Sequence, residues 1–269
     1  MTTMKRVGLI AGSGQFPIIF SKAAREKGLQ VYAVAHAGET EPRLETFVEA
    51  IKWIKLGQLK SLIAFFNSHG VKDAAMAGAI TKTRMFSDVR PDLRALKVLA
   101  TVNHTQDDGI LRAFAGELEK EGIVIRAATF LLPELLAWTG CWTQRKPSRS
   151  EMADVRFGWS IVKEIGKLDI GQTVVVRDGS VMAVEAIDGT DATIRRGGQL
   201  GREKTVVVKA SKPNQDMRFD MPAVGVKTVQ IMSDVGASVL AVEAAKTVVF
   251  DAEEMVALAD QCGIAIIAL

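Results

Sequence analysis

Cysteine and histidine are scarce in this sequence of 269 residues, and their scarcity excludes several kinds of site. The two cysteines, Cys141 and Cys262, lie far apart, which argues against a disulfide framework or a cysteine-based metal site and predicts a reducing compartment. The three histidines share no metal-ligand spacing. The sequence also lacks a G-x-S-x-G motif, so a Ser/His/Asp hydrolase is not supported.

Long apolar runs and a strong net charge are missing as well. No stretch of about 20 apolar residues is present, and the apolar stretch after the basic start is too short for a signal peptide. We therefore expect a cytoplasmic protein without a membrane-spanning helix. The net charge of +3 is too small to indicate nucleic-acid binding, and no nucleic-acid partner is expected.

The sequence does contain alternating strand-like and helix-like segments in its first half. Residues 7–11 form a continuous apolar run, typical of a strand buried on both faces, and lead into a predicted helix from about Pro17. Further strands are predicted at 31–35, 74–77 and 123–127, and further helices at 59–69 and 107–120. Repeated β-α-β units predict a Rossmann-like parallel sheet with right-handed crossovers.

The pattern changes near residue 140. The stretch 143–151 (TQRKPSRSE) is polar, basic and interrupted by a proline, which is typical of a linker. Beyond a predicted helix at 152–167, the pair Asp178-Gly179 lies between two β-rich runs and predicts a hairpin. We therefore predict two domains: an N-terminal Rossmann-like domain at 1–142 and a C-terminal mixed α/β domain at 143–269.

A glycine-rich turn, Gly12-Ser13-Gly14, follows the first predicted strand and opens the first predicted helix. Backbone N–H groups at such a turn are placed to face an anion. The turn departs from the dinucleotide fingerprint because Pro17 replaces the third glycine and the first acidic residue after strand two, Glu39, arrives late. Phosphate or nucleotide contact, a structural turn and NAD(P) binding all stay open at this stage.

Charged residues also gather in the loop 210–222, which contains Lys212, Gln215, Asp216, Arg218 and Asp220. The lysine and arginine suit phosphate oxygens, the arginine through its planar fork. The carboxylates suit a divalent metal or a general base, and phosphoryl transfer needs both kinds of group. A solvated, charged loop is the alternative that the residue types alone leave open.

A second acidic group, Glu185, Asp188 and Asp191, follows the predicted hairpin. Three carboxylates suit Mg²⁺, which prefers oxygen ligands, and the neighbouring Thr190 and Arg195 suit a diphosphate. The alternative is structural, since Asp191 is also a good residue to cap the helix that follows.

These segments resemble the non-calcineurin-like UDP-2,3-diacylglucosamine diphosphatases of lipid A biosynthesis in Gram-negative bacteria. The resemblance spans nearly the whole chain in order, so it is more specific than any one motif. The matching segments are GLIAGSGQFP at 8–17, Ala77-Gly78, RALKVL at 94–99, QDDGILR at 106–112, EKEGI at 119–123, EIGKLDIGQTVVVRDGSVMAVEAIDGTDATIRR at 164–196 and KASKPNQDMRFDMPAVGV at 209–226.

The resemblance implies two α/β domains with the active site between them, a requirement for Mg²⁺, and cleavage of UDP-2,3-diacylglucosamine to UMP and 2,3-diacylglucosamine 1-phosphate. Asp220 matches the essential aspartate of the family's R-x-D-x-P motif. The candidate metal ligands are Asp220, Asp191 and Glu185. The candidate substrate-binding residues are Gly12, Ser13, Gly14, Lys212, Gln215, Arg218, Thr190 and Arg195.

Other expectations follow from the substrate that the resemblance implies. An acylated substrate favours loose association with the surface of the inner membrane. A homodimer is expected only because closed symmetric assemblies are common. Two other functions stay open: an NAD(P)-dependent Rossmann-type oxidoreductase and a non-catalytic nucleotide-sugar-binding protein.

Overall fold

The structure is a computed structural model that describes residues 6–80, 89–100, 107–219 and 221–269. The side chains of Asp107 and Asp108 lie outside this description. The described residues fall into two compact units. The first unit lies within Met1–Pro133 and Asp216–Asp220, and the second comprises Glu134–Gln215 and Met221–Leu269.

The first unit is built on a parallel sheet. Its strands are β1 (Arg6–Ala11), β2 (Gln30–His36), β3 (Ala50–Ile54), β4 (Asp73–Ala77) and β5 (Val124–Arg126). Their order is β3-β2-β1-β4-β5, and each neighbouring pair is parallel. This order matches the first five strands of the Rossmann order 3-2-1-4-5-6, so the predicted fold class of the first unit is confirmed.

Helices connect the parallel strands and pack against the sheet. They are α1 (Phe16–Glu26), α2 (Leu59–Ser68), α3 (Leu93–Ala100) and α4 (Asp107–Lys120), with short 3₁₀ helices at Pro42–Phe47 and Ala128–Phe130. Phe66 on α2 and Leu118 on α4 are fully buried and share a core with Ile123 and Ile125. The helix predicted at 107–120 is therefore confirmed.

Strand β3 has no counterpart in the sequence-based prediction. It is an edge strand, and four of its five residues are partly or fully exposed. A strand that buries little surface lacks the continuous apolar run by which the central strands were recognised.

The second unit is built on a mixed sheet, as predicted. Its strands are β6 (Gly140–Cys141), β7 (Thr173–Arg177), β8 (Ser180–Val184), β9 (Thr205–Lys209), β11 (Ala237–Val242) and β13 (Ala265–Ala268). The order is β6-β13-β11-β9-β7-β8, in which β9, β11 and β13 are parallel and the remaining pairs are antiparallel. A separate parallel pair joins β10 (Ala223–Val224) to β12 (Val248–Val249).

The helices of the second unit are α5 (Arg149–Lys167), α6 (Gly189–Gly201), α7 (Val226–Asp234) and α8 (Ala252–Gln261). The predicted hairpin joins β7 to β8, and Asp178 and Gly179 both have positive φ angles, 48° and 70°. Two left-handed residues in a two-residue loop match the twist of the flanking strands. Asp154 on α5 accepts hydrogen bonds from both turn amides at 2.8 Å.

The two units divide earlier than the predicted boundary between residues 142 and 143. The division falls at a short 3₁₀ helix, Pro133–Leu135. Strand β6 then pairs antiparallel with β13, which ties the residues before 143 to the second unit. The predicted linker is also shorter than 143–151, because Ser148 and Glu151 form a reciprocal capping box that starts α5 at Arg149.

Replacing either of two helical glycines by alanine is expected to change stability, in opposite directions. On α6, a Cβ at Gly197 would lie 2.5 Å from the Cβ of Val175, a buried residue of β7 that has no flexible end to move. On α4, a Cβ at Gly116 would meet no described atom within 4 Å apart from the backbone of its own helix. We expect Gly197→Ala to destabilise its unit by about 1–3 kcal/mol through overpacking. Gly116→Ala is expected to stabilise by about 0.5–1 kcal/mol through helix propensity.

Thermal unfolding of both variants beside the parent protein checks this pair. The melting temperature should fall for Gly197→Ala and rise for Gly116→Ala. A rise in both variants would mean that helix propensity, rather than the close approach of α6 to the sheet, decides the response.

Candidate functional site

The glycine-rich turn of the first unit lies where β1 and β4 end side by side. The amide of Gly12 donates to Ala77 O at 2.8 Å, and the amide of Ser13 donates to Ala79 O at 2.7 Å. Ser13 Oγ also donates to Ala79 O at 2.8 Å. A Cβ at Gly12 would lie 2.5 Å from the same carbonyl oxygen, so this position needs glycine for the close approach of two backbones.

This geometry corrects one part of the sequence-based interpretation. The amides of Gly12 and Ser13 are already bonded to carbonyls at the end of β4, so they are not arranged to receive an anion. Gly14, with a φ of 84°, completes the turn before α1. The structural reading of Gly12 and Ser13 is therefore the better supported one, while a substrate contact at this turn stays a prediction.

The same turn is supported from β2. His36 Nδ1 lies 3.0 Å from Ala11 O, and Thr40 Oγ1 donates to the same oxygen at 2.7 Å. Burial lowers the pKa of His36, which keeps its ring neutral at physiological pH. The residue therefore fixes the end of β1 rather than acting as a surface charge.

In the second unit, the ends of several strands bring polar side chains together. Strands β8 and β9 end at the edge of the sheet where the antiparallel β7 begins. Thr190 Oγ1 donates to Glu185 Oε1 at 3.1 Å and accepts from Lys209 Nζ at 3.1 Å. Thr173 Oγ1 lies 3.4 Å from the same hydroxyl. Two of the predicted site residues, Glu185 and Thr190, thus meet at the carboxyl edge of the sheet, where α/β proteins commonly bind ligands.

One oxygen of this cluster has no hydrogen-bond partner among the residues that the structure describes. Glu185 is 8% exposed, and its Oε2 atom is buried without a hydrogen-bond partner in the part of the chain that the structure describes. Gly171 packs against the backbone of the same residue, because a Cβ at that position would lie 2.2 Å from the carbonyl oxygen of Glu185. A buried carboxylate oxygen without a partner is costly, so it points to a water or a cation as its neighbour.

A second buried cluster holds the start of the loop 210–222. Glu243 follows β11, and its Oε2 accepts from Lys163 Nζ at 2.6 Å, from Ser211 Oγ at 2.6 Å and from the Ser211 amide at 2.9 Å. Lys246 Nζ donates to the other carboxylate oxygen at 2.9 Å. Although burial opposes the charge, these hydrogen bonds prevail and lower the pKa of Glu243 to about 2.

The next residues of the loop are held by Lys212 and Gln215. Lys212 forms a short ion pair with Asp169, and both side chains are largely buried. Gln215 Oε1 accepts from the Lys212 amide at 2.9 Å, which closes a turn around Pro213. Because Gly166 has no Cβ, this turn can approach helix α5 closely. The structure therefore places Lys212 and Gln215 together, with Lys212 already paired to a carboxylate.

Arg218 lies in the part of the loop that belongs to the first unit. Its Nη2 donates to Asp216 Oδ2 at 2.8 Å and its Nη1 donates to Glu119 Oε1 at 3.1 Å. The hydrogen bond from Arg218 lowers the pKa of Asp216 and, in return, raises that of Arg218. Arg218 and Asp216 are therefore both charged at neutral pH.

Two predicted residues on α6 point to other partners. Asp191 forms an ion pair with Lys227 at 2.7 Å, and Arg195 forms one with Asp234 at 3.5 Å. All four side chains are at least 43% exposed. Neighbouring Asp188 has a lowered pKa, mainly through a hydrogen bond from Arg196.

Of the three predicted metal ligands, the structure describes Glu185 and Asp191 but not Asp220. Among the described residues, no group of three or more His, Cys, Asp and Glu side chains is arranged to hold a metal ion. Asp220, the first of the predicted ligands and the predicted catalytic residue, lies outside the described residues. Its role stays a prediction, as do the metal-binding roles of Glu185 and Asp191.

Sequence reasoning missed Lys163, Lys209 and Glu243. A signal was available for Lys209 and Glu243, because each lies at or directly after the end of an apolar, strand-like run, where binding residues collect in α/β sheets. Lys163 carried no such signal, since it reads as one lysine on the polar face of a helix. Its partner Glu243 is far away in sequence and is brought close only by the fold.

Within the same described residues, no helix combines the length and the apolar character needed to cross a membrane.

Two comparisons with solved structures found only weak likeness. A biotin carboxylase domain of 2-oxoglutarate carboxylase from Hydrogenobacter thermophilus is 14% identical, with a TM-score of 0.29, 74% of this chain covered and 41% of that one. An N5-carboxyaminoimidazole synthetase from Staphylococcus aureus is 17% identical, with a TM-score of 0.27 and coverages of 73% and 44%. The chain spans less than half of either protein, and TM-scores this low carry no argument.

Sequence comparison is far more specific. The family model for the LpxI N-terminal domain matches residues 6–135, and that for the LpxI C-terminal domain matches residues 138–267. UDP-2,3-diacylglucosamine pyrophosphatase LpxI from Caulobacter vibrioides is 32% identical over 272 residues, which cover 97% of this chain and 96% of that protein. With both domain models in order and a relative matched over almost its full length, the chain belongs to the LpxI family.

Proposed function

We propose that this protein hydrolyses the pyrophosphate bond of UDP-2,3-diacylglucosamine and releases UMP and 2,3-diacylglucosamine 1-phosphate. The observation that carries the proposal is the 32% identity to a UDP-2,3-diacylglucosamine pyrophosphatase over 97% of the chain. A match of that extent includes both units and both loops with clustered charges. The enzyme would act in lipid A biosynthesis as a hydrolase.

The reaction is the attack of water on one phosphorus of the diphosphate. It needs positive groups beside the phosphate oxygens and a carboxylate that orients water or a metal. At the carboxyl edge of the second unit's sheet, buried Lys209 supplies a positive charge, and the hydroxyl of Thr190 accepts from Lys209 and donates to Glu185. We infer that this edge binds part of the nucleotide diphosphate, with Lys209 beside its oxygens and Thr190 holding Glu185 in place.

Mg²⁺ is the metal that we propose for this reaction. Glu185 fits it, because its buried Oε2 lacks a hydrogen-bond partner within the described part of the chain. Mg²⁺ is usually held by one or two carboxylates together with water and phosphate. Asp191 fits less well, since it is nearly half exposed and paired with Lys227. Asp220 is a candidate through the family motif. When bound, Mg²⁺ offsets the negative charge on the non-bridging oxygens of the diphosphate.

The test incubates the purified protein with UDP-2,3-diacylglucosamine in detergent micelles, with Mg²⁺ or with a chelator. We expect UMP to be released with Mg²⁺ and release to stop with the chelator. Reaction in ¹⁸O-water then locates the attacked phosphorus, because the label enters only one product. Tight UDP-sugar binding without UMP at any metal concentration would replace the proposal with a binding protein. NAD(P) binding without UMP release would replace it with an oxidoreductase.

Two further proposals concern partners. Loose contact with the inner membrane surface is supported by the acylated substrate, and a homodimer by the frequency of closed symmetric assemblies. Co-sedimentation with anionic vesicles tests the first, and the mass in solution tests the second. Full recovery in the supernatant and a monomeric mass would reject them.

A further inference from the structure

A short segment of the loop 210–222 packs with the first unit although the chain on either side of it does not. Residues Asp216 to Phe219 group with the first unit, whereas Gln215 and Met221 group with the second. The segment directly precedes Asp220 in the R-x-D-x-P motif. The contacts that hold the segment on the first unit therefore fix the backbone up to residue 219.

Ion pairs make the first set of these contacts. Arg218 directs Nε and Nη2 at the carboxylate of Asp216, at 3.0 and 2.8 Å, and Nη1 at Glu119 on α4, at 3.1 Å. Arg112, also on α4, places its Nε 3.6 Å from Asp216 Oδ2. Two cations thus alternate with two anions. Both ion pairs that leave the segment, Arg218–Glu119 and Asp216–Arg112, are made with residues of α4.

An apolar contact makes the second set. Phe219 packs against the core of the first unit, beside residues that α2 and α4 bury. The Arg218 guanidinium lies 4.9 Å from the centre of the Phe219 ring, which is within the range of a cation–π contact. Phe219 thus connects the ion pairs to the core, and the segment is held by charge and by burial together.

These contacts leave Arg218 poorly placed as a phosphate ligand. All three of its nitrogens donate to carboxylates, and the two arginines of the group are balanced by Asp216 and Glu119. A diphosphate brought to Arg218 would have to displace a carboxylate or accept one as a like-charged neighbour. Like charges at close range oppose binding.

We propose that Arg218 is a positioning residue that acts through an α4 anchor, formed by Asp216, Arg218 and Phe219 with Arg112 and Glu119. The anchor fixes the backbone immediately before Asp220. Glu119 affects turnover only through its ion pair with Arg218 and does not touch the substrate. The proposal rests on the proposed hydrolysis for its effect on turnover, but the anchor itself is a structural claim that can be measured without substrate.

Glu119→Gln separates the two roles of Arg218. If Arg218 binds phosphate, removing the charge of Glu119 strengthens that contact and lowers KM or leaves it unchanged, with kcat maintained. If the α4 anchor positions Asp220, kcat falls about tenfold or more while KM stays within about twofold, since misplacing a reacting group costs rate. The matched control is Glu121→Gln, which removes a carboxylate paired with Arg94 at 2.6 Å and leaves the segment untouched.

Hydrogen exchange of the peptide that contains residues 216–219 supplies a readout independent of activity. The anchor predicts faster exchange in Glu119→Gln and Phe219→Ala than in the parent or in Glu121→Gln. Arg218→Lys should resemble Glu119→Gln, because a single ammonium cannot reproduce the planar fork. The double variant that combines Glu119→Gln with Arg218→Lys should lose no more kcat than the more affected of the two single variants.

Each outcome decides a separate point. Faster exchange with a lower kcat supports the proposal. Unchanged exchange in Glu119→Gln overturns the anchor, and faster exchange with unchanged kcat overturns its role in positioning. A higher KM for Arg218→Lys with unchanged kcat would show that Arg218 binds the substrate, and would overturn its positioning role. If the parent protein releases no UMP, the proposed function fails and the exchange experiment alone decides the anchor.

Discussion

Replacing Asp220 by asparagine is expected to lower the rate of UMP release by at least about a hundredfold, the scale on which a positioned acid or base contributes to rate. The substitution keeps the shape of the side chain and removes its charge. A carboxylate is needed whether it holds Mg²⁺ or orients the attacking water, so both roles predict the loss. Steady-state release of UMP at saturating Mg²⁺ measures it.

The two roles of Asp220 separate when Mg²⁺ is varied. If the residue holds the metal, the asparagine variant needs a higher Mg²⁺ concentration for half-maximal rate. If it orients water, the metal dependence stays unchanged and only the maximal rate falls. Asp73→Asn is the control, because Asp73 begins β4 at the opposite end from the glycine-rich turn and forms an exposed pair with Arg126. Substantial turnover by the Asp220 variant would remove the residue from the mechanism.

Loss of the Glu243 charge is expected to destabilise the second unit on the order of 3 kcal/mol at neutral pH. A folded pKa of about 2 against an ordinary value of 4.5 gives that scale, at about 1.4 kcal/mol for each pKa unit. Glu243→Gln leaves Lys163 with a weaker partner in a largely buried site. Urea unfolding at pH 7 measures the difference from the parent.

The pH dependence of that difference follows from the direction of the pKa shift. Because the folded pKa is lowered, the charge of Glu243 stabilises fully above about pH 4.5 and less and less as the pH falls toward 2. The parent and Glu243→Gln should therefore converge in stability over this range. Glu164→Gln, which breaks an exposed pair with Lys167, should change stability by less than about 0.5 kcal/mol throughout. A difference that stays constant with pH would assign the effect of Glu243 to packing.

The sequence predicted the fold best where strands are largely buried. Strands β1, β2 and β4 carry continuous apolar runs and lie inside their sheet, so pattern and structure agree. Agreement was lost at β3, whose exposed side removes the apolar run, and at β6, a pair of residues whose strand character depends on β13. Local sequence carries no information about a partner so far along the chain.

The candidate site divides in the same way. The chemistry of Glu185, Lys212 and Arg218 was visible in their residue types, but their partners were not. Gly12 illustrates the reason, since its turn suggests an anion site until Ala77 and Ala79, far away in sequence, are found bonded to its amides. Tertiary contacts decide which donors remain for a substrate, and one sequence does not contain them in readable form.

The placement of Asp216 to Phe219 also has a consequence for the order of synthesis. The ribosome synthesises the residues up to Pro133 well before it reaches Phe219. During that interval the first unit lacks one side chain that packs against its core. N-terminal domains usually fold as they emerge, but this one completes its surface only after most of the second has been made. A gene fragment that ends near residue 135 would therefore encode a first unit that lacks the Phe219 side chain against its core, and we expect that fragment to be less stable than the unit in the full chain.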